Sequence, residues 1–274
     1  MEGLIAIGKD IRLSRILRRD GKALILAMDH GLEHGPRDFI DASLDPLNIV
    51  GKIIDVIDAV MATPGVIRRL HSVLKHADIA LIVKITGKTE LRPHDKQLLQ
   101  STFFSVDDAI AMGADAIAMT VYWGSPYEDK MLARWREIHQ KASRLGLPML
   151  QLAYPRPINK SKTDPEVVAY AARAAAEVGA DLIKTYYTGS RESFSYVVKS
   201  ALGVPVLMSG GPKREKSIDF LKDVEDVIAA GGRGAVVGRN IFNHENPRAM
   251  AKAIREVIHD GLSAEEAAKR NGLL

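Results

Sequence analysis

The feature that most constrains the fold is a repeat of eight short apolar, β-rich runs, each followed by a helical pattern. The runs cover residues 23–28, 56–61, 79–85, 115–121, 148–153, 181–185, 205–208 and 234–237. Strands that alternate with helices predict βα units and a parallel sheet. Eight such units in about 250 residues predict an α/β fold of the closed (β/α)8, or TIM-barrel, type.

An open, doubly wound sheet is the alternative architecture. That fold normally carries a glycine-rich G-x-G-x-x-G turn after its first strand, whereas the sequence Asp-His-Gly follows Met28. The clearest helix covers residues 165–178. Because no linker divides the chain, we expect a single barrel domain over residues 1–274 with short N-terminal and C-terminal extensions. Residues 263–274 are expected to form a short terminal helix or arm.

Composition narrows the class of protein further. Hydrophobic residues make up 46% and charged residues 26%, which is typical of a globular protein. Neither a membrane-spanning apolar run nor a secretory signal pattern is visible, so we expect a cytoplasmic protein without membrane contact. The absence of cysteine excludes disulfides and thiolate metal sites. A net charge of +4, spread along the chain, disfavours nucleic-acid binding and suits an anionic substrate.

Polar and reactive side chains are concentrated where the predicted strands end. In strand order these residues are Asp29 and His30, Lys84, Tyr122 and Trp123, Tyr154, Lys184, Ser209-Gly210-Gly211, and Gly238-Arg239-Asn240. Barrel enzymes place their chemistry at the carboxyl ends of the strands, so closure of the barrel should bring these residues to one pocket. We expect no comparable polar cluster at the opposite, helix-to-strand turns.

Lys184 lies in the sixth predicted strand, where nearly every residue should be apolar. Burying an ammonium group is costly unless it is paired or loses its proton. A neutral lysine amine can attack a ketone and form an iminium ion, which acts as an electron sink. A second cation nearby would help to lower its pKa, and Lys84 is the candidate. Position alone leaves open whether Lys184 or Lys84 is the nucleophile, or whether the two only form structural ion pairs.

Two further residues could supply acid–base chemistry. Cleavage of a carbon–carbon bond in a hydroxyketone requires a base for the hydroxyl proton and an acid at the carbanion carbon. Tyr154 and Asp29 have suitable side chains at the predicted rim. A metal site built from Asp29, His30, Glu33 and His34 is the alternative use of the first loop. We disfavour it because these residues share one short loop, and because a lysine nucleophile makes a metal unnecessary.

The loops after the seventh and eighth strands predict a phosphate site. Ser209, Gly210 and Gly211 follow one strand, and Gly238 and Arg239 follow the other. Glycines allow backbone N–H groups to approach an anion closely, and arginine adds a charged, bidentate donor. Phosphate sites in TIM barrels are often built from these same two loops.

These segments together resemble the archaeal-type class I fructose-1,6-bisphosphate aldolases, over residues 21–259. The matching motifs are AMDHGLEHGP (27–36), KITGKT (84–89), YPR (154–156), IKTYYTG (183–189), MSGGPK (208–213) and VGRNI (237–241). The resemblance implies a Schiff base on Lys184, acid–base chemistry by Tyr154 and Asp29, and phosphate binding by Gly211, Gly238 and Arg239 with Ser209 and Gly210 beside them. Lys84 is then a substrate-binding cation. It also implies a phosphorylated sugar substrate, no metal cofactor, and a homo-oligomer, typically a decamer.

Two positions depart from the family pattern. Leu152 stands where these aldolases carry a tryptophan, and Pro157 replaces the glycine of a Pro-Arg-Gly motif. A sister group, the 2-amino-3,7-dideoxy-D-threo-hept-6-ulosonate synthases, shares several of the motifs, but the sequences at 33–36 and 87–89 favour the glycolytic aldolases. The autoinducer-phosphate thiolases are a more distant alternative. A non-catalytic barrel that binds phosphorylated sugars is the alternative from another functional class.

Overall fold

The predicted closed barrel is confirmed by a computed structural model, which describes residues 2–274. The strands are β1 (Ala23–Met28), β2 (Ala59–Ala62), β3 (Ala80–Lys84), β4 (Thr86–Gly87), β5 (Ser101–Thr102), β6 (Ala116–Trp123), β7 (Met149–Pro155), β8 (Leu182–Thr185), β9 (Val206–Ser209) and β10 (Gly234–Val237). Eight of them close in the order β1-β10-β9-β8-β7-β6-β3-β2, and every neighbouring pair is parallel. The remaining two, β4 and β5, form a small antiparallel hairpin beyond the end of β3.

The helices mostly fill the connections between strands. They are α1 (Glu2–Ile16), α2 (His30–His34), α3 (Asp41–Leu44), α4 (Pro46–Ile53), α5 (Pro64–Leu74), α6 (Val106–Ala111), α7 (Glu128–Arg144), α8 (Pro165–Glu177), α9 (Arg191–Ser200), α10 (Ser217–Ala229), α11 (Arg239–Phe242), α12 (Pro247–Arg255) and α13 (Ala264–Arg270). The helix predicted over 165–178 is α8, and the Asp164 carboxylate accepts hydrogen bonds from the first-turn amides at 3.0 and 3.2 Å. The predicted C-terminal helix is α13.

The second predicted strand begins too early. Instead of starting at residue 56, β2 starts at Ala59. The amides of Val56 and Ile57 both donate to the carbonyl of Ile53, so these apolar residues continue the turn that ends α4. Apolar character marks them as buried, but only backbone hydrogen bonding separates a buried turn from a strand.

Side chains along each strand point alternately into the barrel and towards the helices, which divides the core into two layers. Ile25 and Ala27 of β1 face the barrel interior, whereas Leu24, Leu26 and Met28 pack outward against the helices. This is the period of two that a β-strand imposes on its side chains. The same alternation determines which residues at the strand ends point into the barrel mouth.

The base of the barrel contains a polar cluster that the sequence analysis did not expect. Helix α1 crosses this end, and basic side chains of α1 and of the turn that follows it bind three aspartates that stand immediately before strands. Lys9 binds Asp181 at 2.8 Å, Arg15 binds Asp115 at 2.8 Å, and Arg18 binds Asp58 at 3.0 Å. Each aspartate also accepts a hydrogen bond from a backbone amide at the start of a neighbouring strand, at 2.7 to 3.0 Å. These carboxylates therefore join α1 to the barrel and the strands to one another.

Candidate active site

A cavity of about 450 Å³ opens at the carboxyl ends of the strands. Strand alternation explains why the reactive residues line it. In β8, Leu182 faces the interior and Ile183 faces the helices, so Lys184 points inward again; in β7, Leu150 and Leu152 point inward, as does Tyr154. The structure therefore brings together most of the residues predicted for the site.

Lys184 is almost fully buried, with 5% of its surface exposed, and lines this cavity. Its ammonium nitrogen forms no hydrogen bond or ion pair within the part of the chain that the structure describes, and it lies 5.9 Å from the centroid of the Tyr154 ring. Burial is the largest influence on its pKa and lowers it; Arg239 adds to this effect, while Asp29 opposes it. The net pKa of Lys184 is lowered, which favours a neutral and nucleophilic amine.

Lys84 has the opposite surroundings. It is completely buried and does not line the cavity. Its ammonium nitrogen donates to the carbonyl of Thr86 at 2.7 Å and lies 3.8 Å from Asp29 Oδ2 and 3.6 Å from Glu33 Oε1. These contacts direct the Lys84 nitrogen towards two carboxylates and a carbonyl and away from the cavity. The structure thus places Lys84 behind the acidic residues rather than in the position of direct substrate contact that the sequence predicted.

Asp29 and Tyr154 carry opposite protonation tendencies. Burial alone would raise the pKa of Asp29, but the charges of Lys84 and Lys184 outweigh it and the net pKa is lowered. Burial raises the pKa of Tyr154, whose hydroxyl is hydrogen-bonded to Ser209 Oγ at 3.1 Å. The cavity therefore holds an ionised carboxylate that can accept a proton and a phenol that can donate one.

The loops after β9 and β10 lie side by side at one edge of the cavity, lined by Ser209, Gly210, Gly211, Gly238 and Arg239. A Cβ atom on Gly210 would lie 3.1 Å from the Cα of Val237, so the loops approach each other closely. Gly211 has a φ of +63°, a conformation that favours glycine.

Asn240, which the sequence analysis placed at the rim without a role, holds these loops together. Its amide nitrogen donates to the carbonyls of Gly210 and Pro212 at 2.7 and 3.0 Å, and its Oδ1 accepts from the amide of Arg214 at 2.8 Å. Its place in the Gly-Arg-Asn motif was the available signal. These three hydrogen bonds fix the backbone that an anion would contact.

A second group of cations lines the barrel mouth. Lys88 follows β3 and the first hairpin strand, and Arg156 and Lys162 follow β7. In the circular strand order, β3 lies across the barrel from β9 and β10, whereas β7 is separated from β9 by β8 alone. Arg156 donates to the Tyr186 hydroxyl at 2.9 Å and stacks 4.3 Å over the Tyr122 ring. The sequence analysis included Lys88 and Arg156 only as parts of motifs and did not name Lys162, because nothing local showed that these residues line the same cavity as the predicted phosphate loops.

The first loop does not have the form of a metal site. Within residues 2–274, no group of three or more His, Asp or Glu side chains is arranged to hold a metal ion. His34 is hydrogen-bonded to Glu90 at 2.9 Å, and Glu33 accepts from Gln100 at 3.1 Å.

Within residues 2–274, no helix is both long and apolar enough to cross a bilayer.

Comparison with known proteins identifies the family. A family model described as DeoC/LacD family aldolase matches residues 23–244. The chain belongs to this aldolase family. The class 1 fructose-bisphosphate aldolase of Thermoproteus tenax is 41% identical over 256 residues, which are 92% of this chain and 95% of that protein. The resemblance to archaeal class I aldolases is therefore confirmed.

Solved structures of aldolases agree with this assignment. A Schiff-base-forming fructose-1,6-bisphosphate aldolase matches with a TM-score of 0.85 and 40% identity, over 92% of this chain and 100% of that one. An archaeal fructose-1,6-bisphosphate aldolase, whose catalytic lysine is covalently bound to the carbinolamine intermediate of its substrate, matches with a TM-score of 0.84, 40% identity and coverage of 91% and 99%.

One of the two departures from the aldolase pattern lies in the cavity wall. Leu152 faces the barrel interior one inward position below Tyr154 and lines the cavity, with 2% of its surface exposed. Pro157 follows Arg156 in the loop after β7. Because leucine is smaller than tryptophan, Leu152 covers less of the apolar cavity wall next to Tyr154 than a tryptophan would.

Proposed function

We propose that this member of the aldolase family is a class I enzyme that reversibly cleaves fructose 1,6-bisphosphate to dihydroxyacetone phosphate and glyceraldehyde 3-phosphate. The observation that carries this proposal is the environment of Lys184, which is buried at the cavity, unpaired among the described residues, and of lowered pKa. The cations on both sides of the barrel mouth support a substrate with a phosphate at each end.

The first half of the reaction is the formation of the iminium. The amine of Lys184 attacks the C2 ketone, and loss of water from the carbinolamine leaves an iminium ion bonded to the lysine nitrogen. The phosphate next to C2 binds the loops after β9 and β10. The distal phosphate binds the side formed by Lys88, Arg156 and Lys162.

The second half breaks the C3–C4 bond. The carboxylate of Asp29 accepts the C4 hydroxyl proton, the C3–C4 electrons flow into the iminium, and glyceraldehyde 3-phosphate leaves. Tyr154 donates its proton to C3 of the enamine, and the proton held by Asp29 then restores the phenol. Water hydrolyses the iminium and releases dihydroxyacetone phosphate. Lys84 lies behind Asp29, and its charge lowers the pKa of the Asp29 carboxyl.

The decisive experiment traps the imine. The protein is incubated with fructose 1,6-bisphosphate and borohydride, and the modified peptide is mapped by mass spectrometry. We expect the adduct on Lys184, none in Lys184→Arg, and an unchanged adduct site in the matched variant Lys88→Arg. A barrel that only binds phosphorylated sugars would form no adduct, and its Lys184→Arg variant would keep its affinity. An adduct on Lys84 would contradict the assignment of the nucleophile.

Three other expectations belong to this proposal. The iminium provides the electron sink, so we propose that catalysis requires no metal; equal turnover with and without a chelator tests this. We also propose a cytoplasmic homo-oligomer, supported by the exposed apolar side chains Leu4, Ile7 and Ile11 on one side of α1. Light scattering measures its size. The assignment of all 274 residues to one domain stays a prediction.

A further inference from the structure

His30 lies in the cavity wall but has no part in the reaction proposed above. It follows Asp29 directly, and 14% of its side chain is exposed. Neither ring nitrogen forms a hydrogen bond within residues 2–274, and Nδ1 is buried without a partner. This nitrogen lies 3.5 Å from Asp29 Oδ1, too far or too poorly aligned to form a hydrogen bond.

The other edge of the imidazole lies against the predicted phosphate loop. A Cβ atom on Gly238 would overlap His30 Cε1 and lie 2.7 Å from Nε2, so the ring rests directly on the glycine backbone. Phe242 holds the ring from the side, edge to face, with the centroids 5.1 Å apart. The imidazole is therefore fixed with Nδ1 towards Asp29 and Nε2 towards the loop that carries Gly238.

Two other buried polar atoms near this loop also lack a partner among the described residues. They are Nε of Arg239 and Oδ2 of Asp38. The guanidinium is aligned by Asp38, whose Oδ1 lies 3.3 Å from Nη1. Buried N–H groups in folded proteins are normally satisfied. The guanidinium N–H of Arg239, the residue after Gly238, is unsatisfied, and the Nε2 edge of His30 rests on Gly238 without a hydrogen bond, which fits an anionic oxygen that both groups would bind.

We propose that His30 is a further binding residue of the phosphate site, and that its imidazole takes up a proton when the phosphate binds. In the complex, Nε2–H donates to a phosphate oxygen at the Gly238 loop, and Nδ1–H donates to Asp29. The inference rests on the proposed function, because it requires the phosphate to occupy this loop. It assigns His30 the task of linking phosphate binding to the carboxylate that accepts the substrate proton.

The charges around His30 determine the sign of this linkage. The groups that face it are Asp29 beside it, His34 on α2 with ring centroids 6.3 Å apart, Asp38, Arg239, and Lys184 on β8. Burial is the main cause that lowers the pKa of His30 to about 4, and Lys184 and Arg239 also lower it, whereas Asp29 and Asp38 raise it. The free protein therefore holds a neutral imidazole at pH 7. A bound dianion favours the charged form and raises the pKa.

Sulfate is the probe for the experiment, since it is a tetrahedral dianion that does not itself titrate between pH 5 and 8. Its binding is measured by calorimetry at pH 5.5, 6.5 and 7.5, in buffers with different ionisation enthalpies. We expect the wild-type Kd to rise by about tenfold from pH 5.5 to 7.5, which corresponds to an average uptake of about half a proton per sulfate bound as the bound imidazole titrates through this range. His30→Gln should bind more weakly at pH 5.5 and show a Kd that changes less than about twofold over this range.

The matched control is His34→Gln, because His34 also lines the cavity and burial lowers its pKa as well. It should keep the wild-type pH dependence. Wild-type binding of sulfate without proton uptake overturns the proposal, whether or not the variants fold. So does a His30→Gln variant with the wild-type slope. Imine trapping on Lys184 in the same preparations distinguishes the role of His30 from the proposed catalysis. If the imine is trapped but sulfate binds without proton uptake, only the role of His30 is contradicted. If sulfate binds with proton uptake but no imine is trapped, the proposed catalysis is contradicted.

Discussion

The aspartate cluster at the barrel base gives a quantitative prediction for Asp58→Asn. The Asp58 side chain is fully buried and accepts hydrogen bonds from the amide of Leu24 at 2.7 Å, Arg18 Nε at 3.0 Å, Arg255 Nη1 at 2.8 Å and His259 Nε2 at 2.8 Å. Asparagine can still accept from the amide. It removes the negative charge that the three cationic groups share.

The size of the effect follows from the pKa. Burial raises the pKa of Asp58, but its bonds with His259, the Leu24 amide and Arg255 outweigh burial, and the net pKa is lowered from 3.8 to about 2. At about 1.4 kcal/mol for each pKa unit, this corresponds to about 2 kcal/mol of stability. The contribution is present above pH 4 and is lost as the pH falls through 2. In Asp58→Asn the cations that lose their charged partner lower the stability further. Because both arginines are partly exposed, this addition is small, and we expect the unfolding free energy to fall by about 3 kcal/mol in total.

Urea unfolding followed by circular dichroism measures this loss. At pH 5 the unfolding free energy of Asp58→Asn should be about 3 kcal/mol below that of the wild type. At pH 3 the difference should shrink by about 1 kcal/mol, because this carboxyl is then mostly protonated in the unfolded wild-type chain, where its pKa is 3.8, but still mostly ionised in the folded protein. His30, whose pKa is about 4, is present in both proteins, so its titration cancels from the difference between them.

Asp115→Asn is the matched control. Asp115 also accepts a strand amide, but its one cation, Arg15, has 62% of its side chain exposed. We expect a loss of about 1 kcal/mol for this variant. If Asp58→Asn were as stable as Asp115→Asn, or if the difference from wild type did not narrow between pH 5 and 3, the charge argument would be wrong.

Three further outcomes are expected at the active site. Tyr154→Phe should still form the trapped imine but turn over at least ~100-fold more slowly, as single-turnover kinetics would show. Lys84→Met removes a cation that lowers the pKa of Asp29, so the acidic limb of the kcat/KM pH profile should move to higher pH. Asn240→Ala frees the phosphate loop and leaves two carbonyls without their donor, so KM should rise by about tenfold, with a smaller change in kcat, in steady-state assays.

The barrel could be predicted from sequence because its signal is local and repeated. Each strand is a short apolar run, and each helix has its own period. The hairpin of β4 and β5 was not predicted, since two residues per strand leave no detectable alternation. The ion pairs of α1 were missed for a different reason, because their partners lie 40 to 172 positions apart in the chain.

The site was predictable in membership but not in arrangement. Lys84 and Lys184 both occupy inward positions near the end of a strand, so position could not distinguish them. The difference comes from Glu33 and Asp29, which pair with one lysine and leave the other without an ion pair. The roles assigned to Lys184, Tyr154 and Asp29 stay predictions until the trapping and kinetic experiments are done.

The docking of α1 bears on how the chain reaches its native state. Its partners at Asp58, Asp115 and Asp181 belong to strands that follow it at increasing distance along the sequence. Closing such long loops carries an entropic cost that must be met before the contacts form. A nascent chain emerging from the ribosome would therefore hold this helix without its final partners until most of the barrel had been synthesised. Helix α1 is made before the strands that it contacts, yet it would be among the last elements to reach its final position.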